Sequence, residues 1–455
     1  MISIFQRIKG RKVVYHPFFK PCILYLTIFL ILAPYTAHHA DVHYSLEPGY
    51  EIIVNNQNPY AKESTLGSGG SHPPLFVIIS VLVYAVYHFL GGPPIGSTGP
   101  DPPLLNFLVK VPSVIAHILI MFVIYDRLKR LDMSDNHRSL LAYFLMPYLV
   151  FISIIFGAYH ELTGFFIFMA MLKLYDRSYT FSAIFMGLAF SLHLAMISPF
   201  LATIVVLIMV KRGEKFFNVL KYLSTAFGLF IGLGIPFILF GGDNFINRVF
   251  RYQLMRSEPN LGNLGANWWS NIVVFQIAGV PIQSPPYIIL GHLKTLSYTV
   301  MVCLILFLLW KTTFSKIRVG FTGRNFYMHI FKKRWKDDLA SINNLFLGLF
   351  LILLIGNLVI NVQYYSWMLP LLLLFNILSR EKMSDLYRIG VLGFLILLTD
   401  WTILGYTNSV PIVEVALKWA FTEPYSIIRS SAVAILGTLM SLQCFALLVK
   451  VFKRL

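Results

Sequence analysis

The chain has 455 residues, of which 57% are hydrophobic and 13% charged, and a mean hydropathy of +0.70, values that exclude a soluble globular protein and point to a polytopic membrane one. Its net charge of +17, from 37 Lys and Arg against 20 Asp and Glu, fits basic loops facing anionic lipid rather than nucleic-acid binding. Cys22, Cys303 and Cys444 lie within or beside apolar runs, so no disulfide framework is implied.

A basic start, MISIFQRIKGRKVVYHPFFKP, precedes the apolar run from Cys22 to Ala37. No convincing small-x-small cleavage site follows, so the run reads as an uncleaved first transmembrane helix with a cytoplasmic start. Further apolar runs predict helices near 104–125, 139–156, 161–176, 179–194, 196–210, 216–240, 289–311, 341–360, 363–379, 388–406 and 426–450. With the first at 21–37, the expectation is an all-α bundle of about twelve spans. The run 73–91 is also apolar, but Pro73-Pro74 and Gly91-Gly92-Pro93-Pro94 break it at both ends. If it lies along the outer face or only partly re-enters, about 29 of the 37 Lys and Arg fall on the cytoplasmic side, as the positive-inside rule requires.

The first long polar segment, from Ala40 to Leu75, is expected to be an outer working loop with juxtamembrane helices. Asp41 stands just past the first helix, where a carboxylate can stay hydrated yet reach a lipid headgroup, or else cap a following helix. Glu47 and Glu51 are four apart and suit one face of a short amphipathic helix, with Ile52 and Ile53 towards lipid. His43, Tyr60 and His72 complete the loop's candidates, His72 doubling as an ordinary interfacial residue. The short second outer turn, Phe156 to Glu161, returns His160 and Glu161 to the same face. It is no zinc-protease helix, because the position four beyond His160 is Gly164. His193 sits in an apolar run, where an ionisable group is either functional or a hydrogen-bonded packing residue.

The outer loop from Gly241 to Pro286 carries Arg248, Arg251 and Arg256 on an otherwise base-poor face. Their guanidinium forks suit a phosphate, whether a substrate's or a lipid's. Trp268 and Trp269 read as interfacial anchors. At the last outer turn considered, Gln363, Tyr364 and Trp367 lie in QYYSWMLP, which periodicity alone reads as an interface belt.

Taken together, these segments resemble the GT-C class of integral-membrane glycosyltransferases, particularly its mannosyltransferase-like members that use lipid-phosphate sugars. Asp41, then Asn58-Pro59-Tyr60, then His72-Pro73-Pro74-Leu75 look like that class's first-loop pattern. Phe156 to Glu161, followed by Gly187-Leu188-Ala189, looks like its second-loop turn, and Gln363 to Pro370 fits QYxxWxxP. The likeness runs from the first helix to about Pro370. It departs at Ala158, where Gln is usual, at His160-Glu161, where an Asp is common, and at His193, where many relatives carry Lys.

The resemblance implies a GT-C-like catalytic module over 1–380, including outer loops 38–103 and 241–286, with further transmembrane helices over 381–455. It implies transfer of a monosaccharide, mannose among the candidates, from a polyprenyl- or dolichyl-phosphate sugar donor to a glycan or lipid-linked acceptor, with inversion at the anomeric carbon. The membrane would be a prokaryotic plasma membrane or the endoplasmic reticulum, with the active site on the non-cytoplasmic face. In that chemistry Asp41 is the expected general base, with Glu51, His160 and Glu161 as further catalytic candidates. Arg248, Arg251 or Arg256 would hold the donor phosphate. His43, Tyr60, His72, His193, Gln363, Tyr364 and Trp367 would line the substrate site. A single diester phosphate requires no divalent metal, although the sequence does not bar one. The competing expectation is a flippase or carrier for a lipid-linked sugar, whose key charges would lie near the bilayer midplane, with His193 and Lys110 as its candidates.

Overall fold

The computed structural model describes residues 17–60, 72–94, 102–157, 159–194, 203–204, 215–241, 243–247, 249, 266–277, 279, 285, 288–289, 292, 299–308, 335–356, 361–401, 422 and 424–455. Among the described residues every regular element is a helix. Among the described residues, four helices are long and apolar enough to cross a membrane: Pro103–Arg130, Phe217–Leu239, Leu339–Gly356 and Tyr425–Arg454. A fifth span arises if His137–Phe144 and Pro147–Phe156, bent by 44° at their junction, act as one. The bend has a local cause, since Pro147 opens the second piece and a proline excludes the preceding residue from helical geometry. Shorter apolar helices lie between these, and the predicted helix at 196–210 falls outside the described residues except for 203–204.

In chain order the helices that matter here are α1 (Phe19–Leu32), α2 (His39–Ile53), α3 (Pro74–Phe89), α4 (Pro103–Arg130), α5 (His137–Phe144), α6 (Pro147–Val150, continuing as a π-helical segment to Phe156), α7 (His160–Tyr175), α8 (Tyr179–Leu192) and α9 (Lys215–Gly241). The rest are α10 (Asn271–Ile277), α11 (Thr299–Leu308), α12 (Trp335–Gly356), α13 (Tyr364–Leu378), α14 (Ser384–Trp401) and α15 (Tyr425–Arg454). α13 is the central element. Its side chains are buried from Tyr364 to Ile377, and it packs on α7 and α12. An outer surface of Leu24, Leu30, Leu239 and Leu442, all exposed, leaves apolar side chains facing outwards, as lipid allows and water does not. The protein is thus a helical membrane protein.

The two ends of the bundle differ chemically. One end gathers ion pairs between helix ends: Arg127 grips Asp176 through two bonds of 2.8 and 2.7 Å, Lys450 reaches Asp385 at 2.6 Å, and Arg454 reaches Glu381 at 2.7 Å, while at the other ends of α14 and α15 Arg429 pairs with Asp400 at 2.6 Å. Basic residues also close the last turns of α4 and α15, where they complement the helix dipole. The opposite end carries the beginnings of α2, α7 and α13 and the end of α8, and there the rings and carboxylates of the candidate site meet.

α3, the 73–91 segment, packs against α2, α4, α8 and α9. Its contact with α2 is close enough to demand glycine. A Cβ on Gly49 would come within 2.5 Å of the Ser80 carbonyl, and the Gly49 N–H donates to the Ser80 hydroxyl at 2.9 Å. Glu47 and Glu51, on the other side of α2 from Gly49, are buried as well, so the expected solvated acidic face of α2 is turned inwards. Trp269 is likewise fully buried, and Trp268 donates its indole N–H to the Ile355 carbonyl at 3.2 Å. The pair belongs to the packing against α15 and not to an interface belt. Tyr364, Tyr365 and Trp367 are also buried rather than interfacial, because α13 lies at the centre of the bundle.

Candidate functional site

The site begins where α1 ends. After a 3-10 turn at Ala33–Tyr35 the chain becomes extended, and His38 caps α2. Lys110 of α4, fully buried, donates to the Ala33 carbonyl at 2.8 Å, to the Thr36 carbonyl and to the Thr36 hydroxyl at 3.2 Å. A buried ammonium is tolerated here because the unsatisfied carbonyls at a helix C-terminus carry partial negative charge. These bonds hold the entry to the loop.

Gly157 closes the π-helical segment at φ +92°, a left-handed conformation that side chains rarely adopt, with Val42 Cγ2 2.9 Å from where a Cβ would stand. Just before it, the Phe156 carbonyl accepts the His38 backbone N–H at 2.9 Å. The two rings stack at 4.8 Å with planes 3° apart. His38 Nδ1 then lies 2.6 Å from Asp41 Oδ2, and Asp41 is partly exposed. Asp41 is thus in the first turn of α2 rather than at its cap, and it has a histidine partner.

Three residues beyond Gly157, His160 opens α7. It stands outside the helices long enough to span, and burial lowers its pKa to about 4, opposed by the Asp41 carboxylate and assisted by His38. Its ring lies 6.2 Å from that of Trp367 and 6.3 Å from that of Tyr364. Those two stack on each other at 4.4 Å. His193, just past α8, bonds the Tyr364 hydroxyl through Nε2 at 2.8 Å and packs edge-on to Trp367 at 4.9 Å. His160, Tyr364, Trp367 and His193 thus lie ring against ring, and Asp41 is linked to them through His38 and Phe156, whose ring is 6.0 Å from that of His160, and by its charge acting on His160. Within this group, among the described residues, His160 Nε2 and the Trp367 indole N–H are buried without a hydrogen-bond partner.

The other sequence candidates divide. Gln363 is buried at the start of α13 beside Tyr364. His43 is half-buried on α2, two residues after Asp41. His72 stacks on Phe76 at 3.9 Å, and Phe76 meets Tyr159 at 5.0 Å, so a chain of rings leads from His72 to the turn before His160. Tyr60 is a packing residue: its ring meets Phe237 and Phe245, and its hydroxyl donates to the His72 carbonyl at 2.5 Å. Its backbone is fixed by Asn58, whose side chain accepts the Tyr60 N–H at 2.9 Å, an Asx turn. Glu51 accepts from Asn55 at 2.9 Å and lies ten residues, about 15 Å of helix, from Asp41. Arg248, Arg251 and Arg256 lie outside the described residues.

Glu161 points away from its neighbour His160. It is fully buried, with Oε2 3.9 Å from Nδ1 of His117 on α4. The His117 Nε2 faces the Phe144 carbonyl at 2.9 Å, so Nε2 carries the proton of that bond. Neither Glu161 oxygen has a hydrogen-bond partner among the described residues. His117 and His38 were not singled out from sequence, yet both left signals. His38 precedes Asp41 by three residues, the spacing of a capping contact. Asn106, Lys110, Ser113 and His117, all fully buried, follow one another at helical spacing and draw a polar stripe along an otherwise apolar span.

Chemically, the group offers a carboxylate with a histidine neighbour, a stacked aromatic pair and two open nitrogen positions. No group of three or more His, Cys, Asp or Glu able to hold a metal occurs among the described residues. Fold and site together define a helical membrane protein with a mixed acidic and aromatic centre at one end of its bundle. Comparison with known protein families and with curated proteins finds no match to this chain.

Proposed function

We propose that the protein is a GT-C-type glycosyltransferase that moves a monosaccharide from a polyprenyl-phosphate carrier to a glycan or lipid-linked acceptor, with inversion. The observation that carries this reading is the meeting of Asp41, His160, Tyr364 and Trp367, because each comes from one of the three separated motifs on which the resemblance rests. The proposal includes a bundle of about twelve spans, with the site on the non-cytoplasmic face.

In the proposed reaction the acceptor hydroxyl oxygen attacks the anomeric carbon from the face opposite the phosphate. The bond from that carbon to the phosphate oxygen breaks, and the lipid phosphate leaves with the electron pair. Asp41 takes the hydroxyl proton. The stacked Tyr364 and Trp367 rings suit the C–H face of a sugar, and the Trp367 N–H can donate to one of its hydroxyls. Arg248, Arg251 or Arg256 are the proposed counter-charges for the departing phosphate.

A carrier is the second reading, favoured by the Glu161–His117 pair inside the bundle, where ionisable groups commonly mark transport paths. One experiment separates the two. Purified protein in liposomes is given labelled polyprenyl-phosphate sugars with candidate acceptors, and both transfer and transbilayer movement are measured. Transfer that falls roughly a hundredfold or more in Asp41→Asn supports the enzyme. Movement of the lipid-linked sugar without transfer, unaffected by Asp41→Asn, replaces it with the carrier.

A further inference from the structure

We propose that His38 is the positioning residue of Asp41, holding its carboxylate through a proton on Nδ1 so that the outward oxygen stays ionised and aimed at the acceptor; this rests on the transferase reading. Two contacts compete for His38 Nδ1. Asp41 Oδ2 lies 2.6 Å away, and the Asp41 backbone N–H lies 3.3 Å away. One nitrogen cannot donate to the first and accept from the second at the same time. At 2.6 Å the carboxylate contact has the length of a charge-assisted bond, whereas 3.3 Å is close to the outer limit of an N–H bond. The carboxylate contact therefore dominates, and the proton sits on Nδ1.

The surroundings are built to keep the ring in this orientation. The His38 backbone is tied to the Phe156 carbonyl, and its ring is stacked on the Phe156 ring nearly parallel. Gly157, next in the chain, adopts the positive φ that lets the segment turn over Val42, the residue after Asp41. Four ionisable groups surround the dyad. Lys110 on α4 is committed to Ala33 and Thr36. His160 on α7 interacts electrostatically with both members. His43 lies further along α2, and His193 stands behind Tyr364. His38 itself stands at bonding distance of the carboxylate. When Asp41 accepts the acceptor's proton, the carboxylate charge that favoured the proton on His38 Nδ1 disappears; once that proton leaves Nδ1 for water and Nε2 takes one up, Nδ1 can accept the Asp41 backbone N–H instead. The 2.6 Å and 3.3 Å contacts then correspond to the two tautomers of His38.

Asparagine and glutamine distinguish this role from simple packing, because the Asn amide nitrogen falls where Nδ1 lies and the Gln nitrogen falls where Nε2 lies. His38→Asn keeps a donor towards Asp41, and His38→Gln does not. Transfer by full-length protein in nanodiscs should lose about tenfold or more in kcat with His38→Gln, with KM little changed, and His38→Asn should restore most of it. The acid limb of the pH–rate profile should move to higher pH in the Gln variant, since a carboxylate without its donor holds its proton more tightly. Equal activity and equal pH profiles in the two variants would overturn the assignment. A second arm needs no turnover. Nitrogen-15 NMR of histidine-labelled protein should show the His38 proton on Nδ1, moving to Nε2 in Asp41→Ala; a proton on Nε2 in the unmodified protein, or one indifferent to Asp41→Ala, would also overturn it. If no donor supports transfer, the transferase reading fails by itself, and the NMR arm still decides the dyad.

Discussion

Two neighbouring residues, His160 and Glu161, have different fates because successive side chains on a helix diverge by about 100°. His160 faces Asp41 and the Trp367 ring; Glu161 faces His117 in the interior. Glu161→Gln should consequently leave transfer near the unmodified rate while Asp41→Asn abolishes most of it, and a dead Glu161→Gln with an active Asp41→Asn would reverse the assignment of the base. His160 also gives the protein an acid sensitivity. Its folded pKa of about 4 lies below the ordinary 6.5, so the unfolded chain binds the proton more readily. The stability contributed by neutral His160 is fully present above about pH 6.5 and is lost as the pH falls towards 4. Thermal melting in detergent between those pH values should show a decline that is reduced in His160→Phe.

At the scale of elements, α4 supports the site through its interior polar stripe. Lys110 satisfies the carbonyls that end α1, so Lys110→Met should leave them buried and unpaired, at a cost of about 2–3 kcal/mol. The loss is read as a fall in melting temperature, with transfer reduced in parallel because His38 and Asp41 follow directly in the chain. Gly157 is the second support. Gly157→Ala combines a disfavoured positive φ with crowding against Val42, and should cost about 1–3 kcal/mol. Chemical rescue is not expected for either variant, since both displace the loop rather than remove a reacting group.

For the whole molecule, the ion-paired end unites loops that are far apart in sequence, including 126–138, 173–177, 380–388 and 450–454. The positive-inside rule would place these loops in the cytoplasm. Cysteines placed at Lys62 and Asn325 should therefore label from opposite sides of sealed vesicles, Lys62→Cys from the non-cytoplasmic side. Labelling of both from one side would refute the topology, together with a non-crossing α3.

Most helices were legible in the sequence because long apolar runs have few alternatives in a bilayer: a backbone without water must bond to itself. The predicted runs at 104–125, 161–176, 179–194, 216–240, 363–379 and 426–450 correspond to α4, α7, α8, α9, α13 and α15. The polar residues Asp41, His160 and Trp367 were also visible, as exceptions in such runs or beside them. Their sequence spacing could not show which would meet, because the contacts join α2, α7, α8 and α13 across gaps of tens to hundreds of residues. It could not show that Glu161 turns from His160 towards His117, that Tyr60 and Trp269 are buried among other side chains, or that Glu47 and Glu51 are buried. In a membrane chain apolar composition specifies that a helix is inserted, but it is nearly uniform around the helix. Which face is lipid and which is core is decided only by the small residues, close approaches and buried hydrogen bonds that tertiary packing brings together.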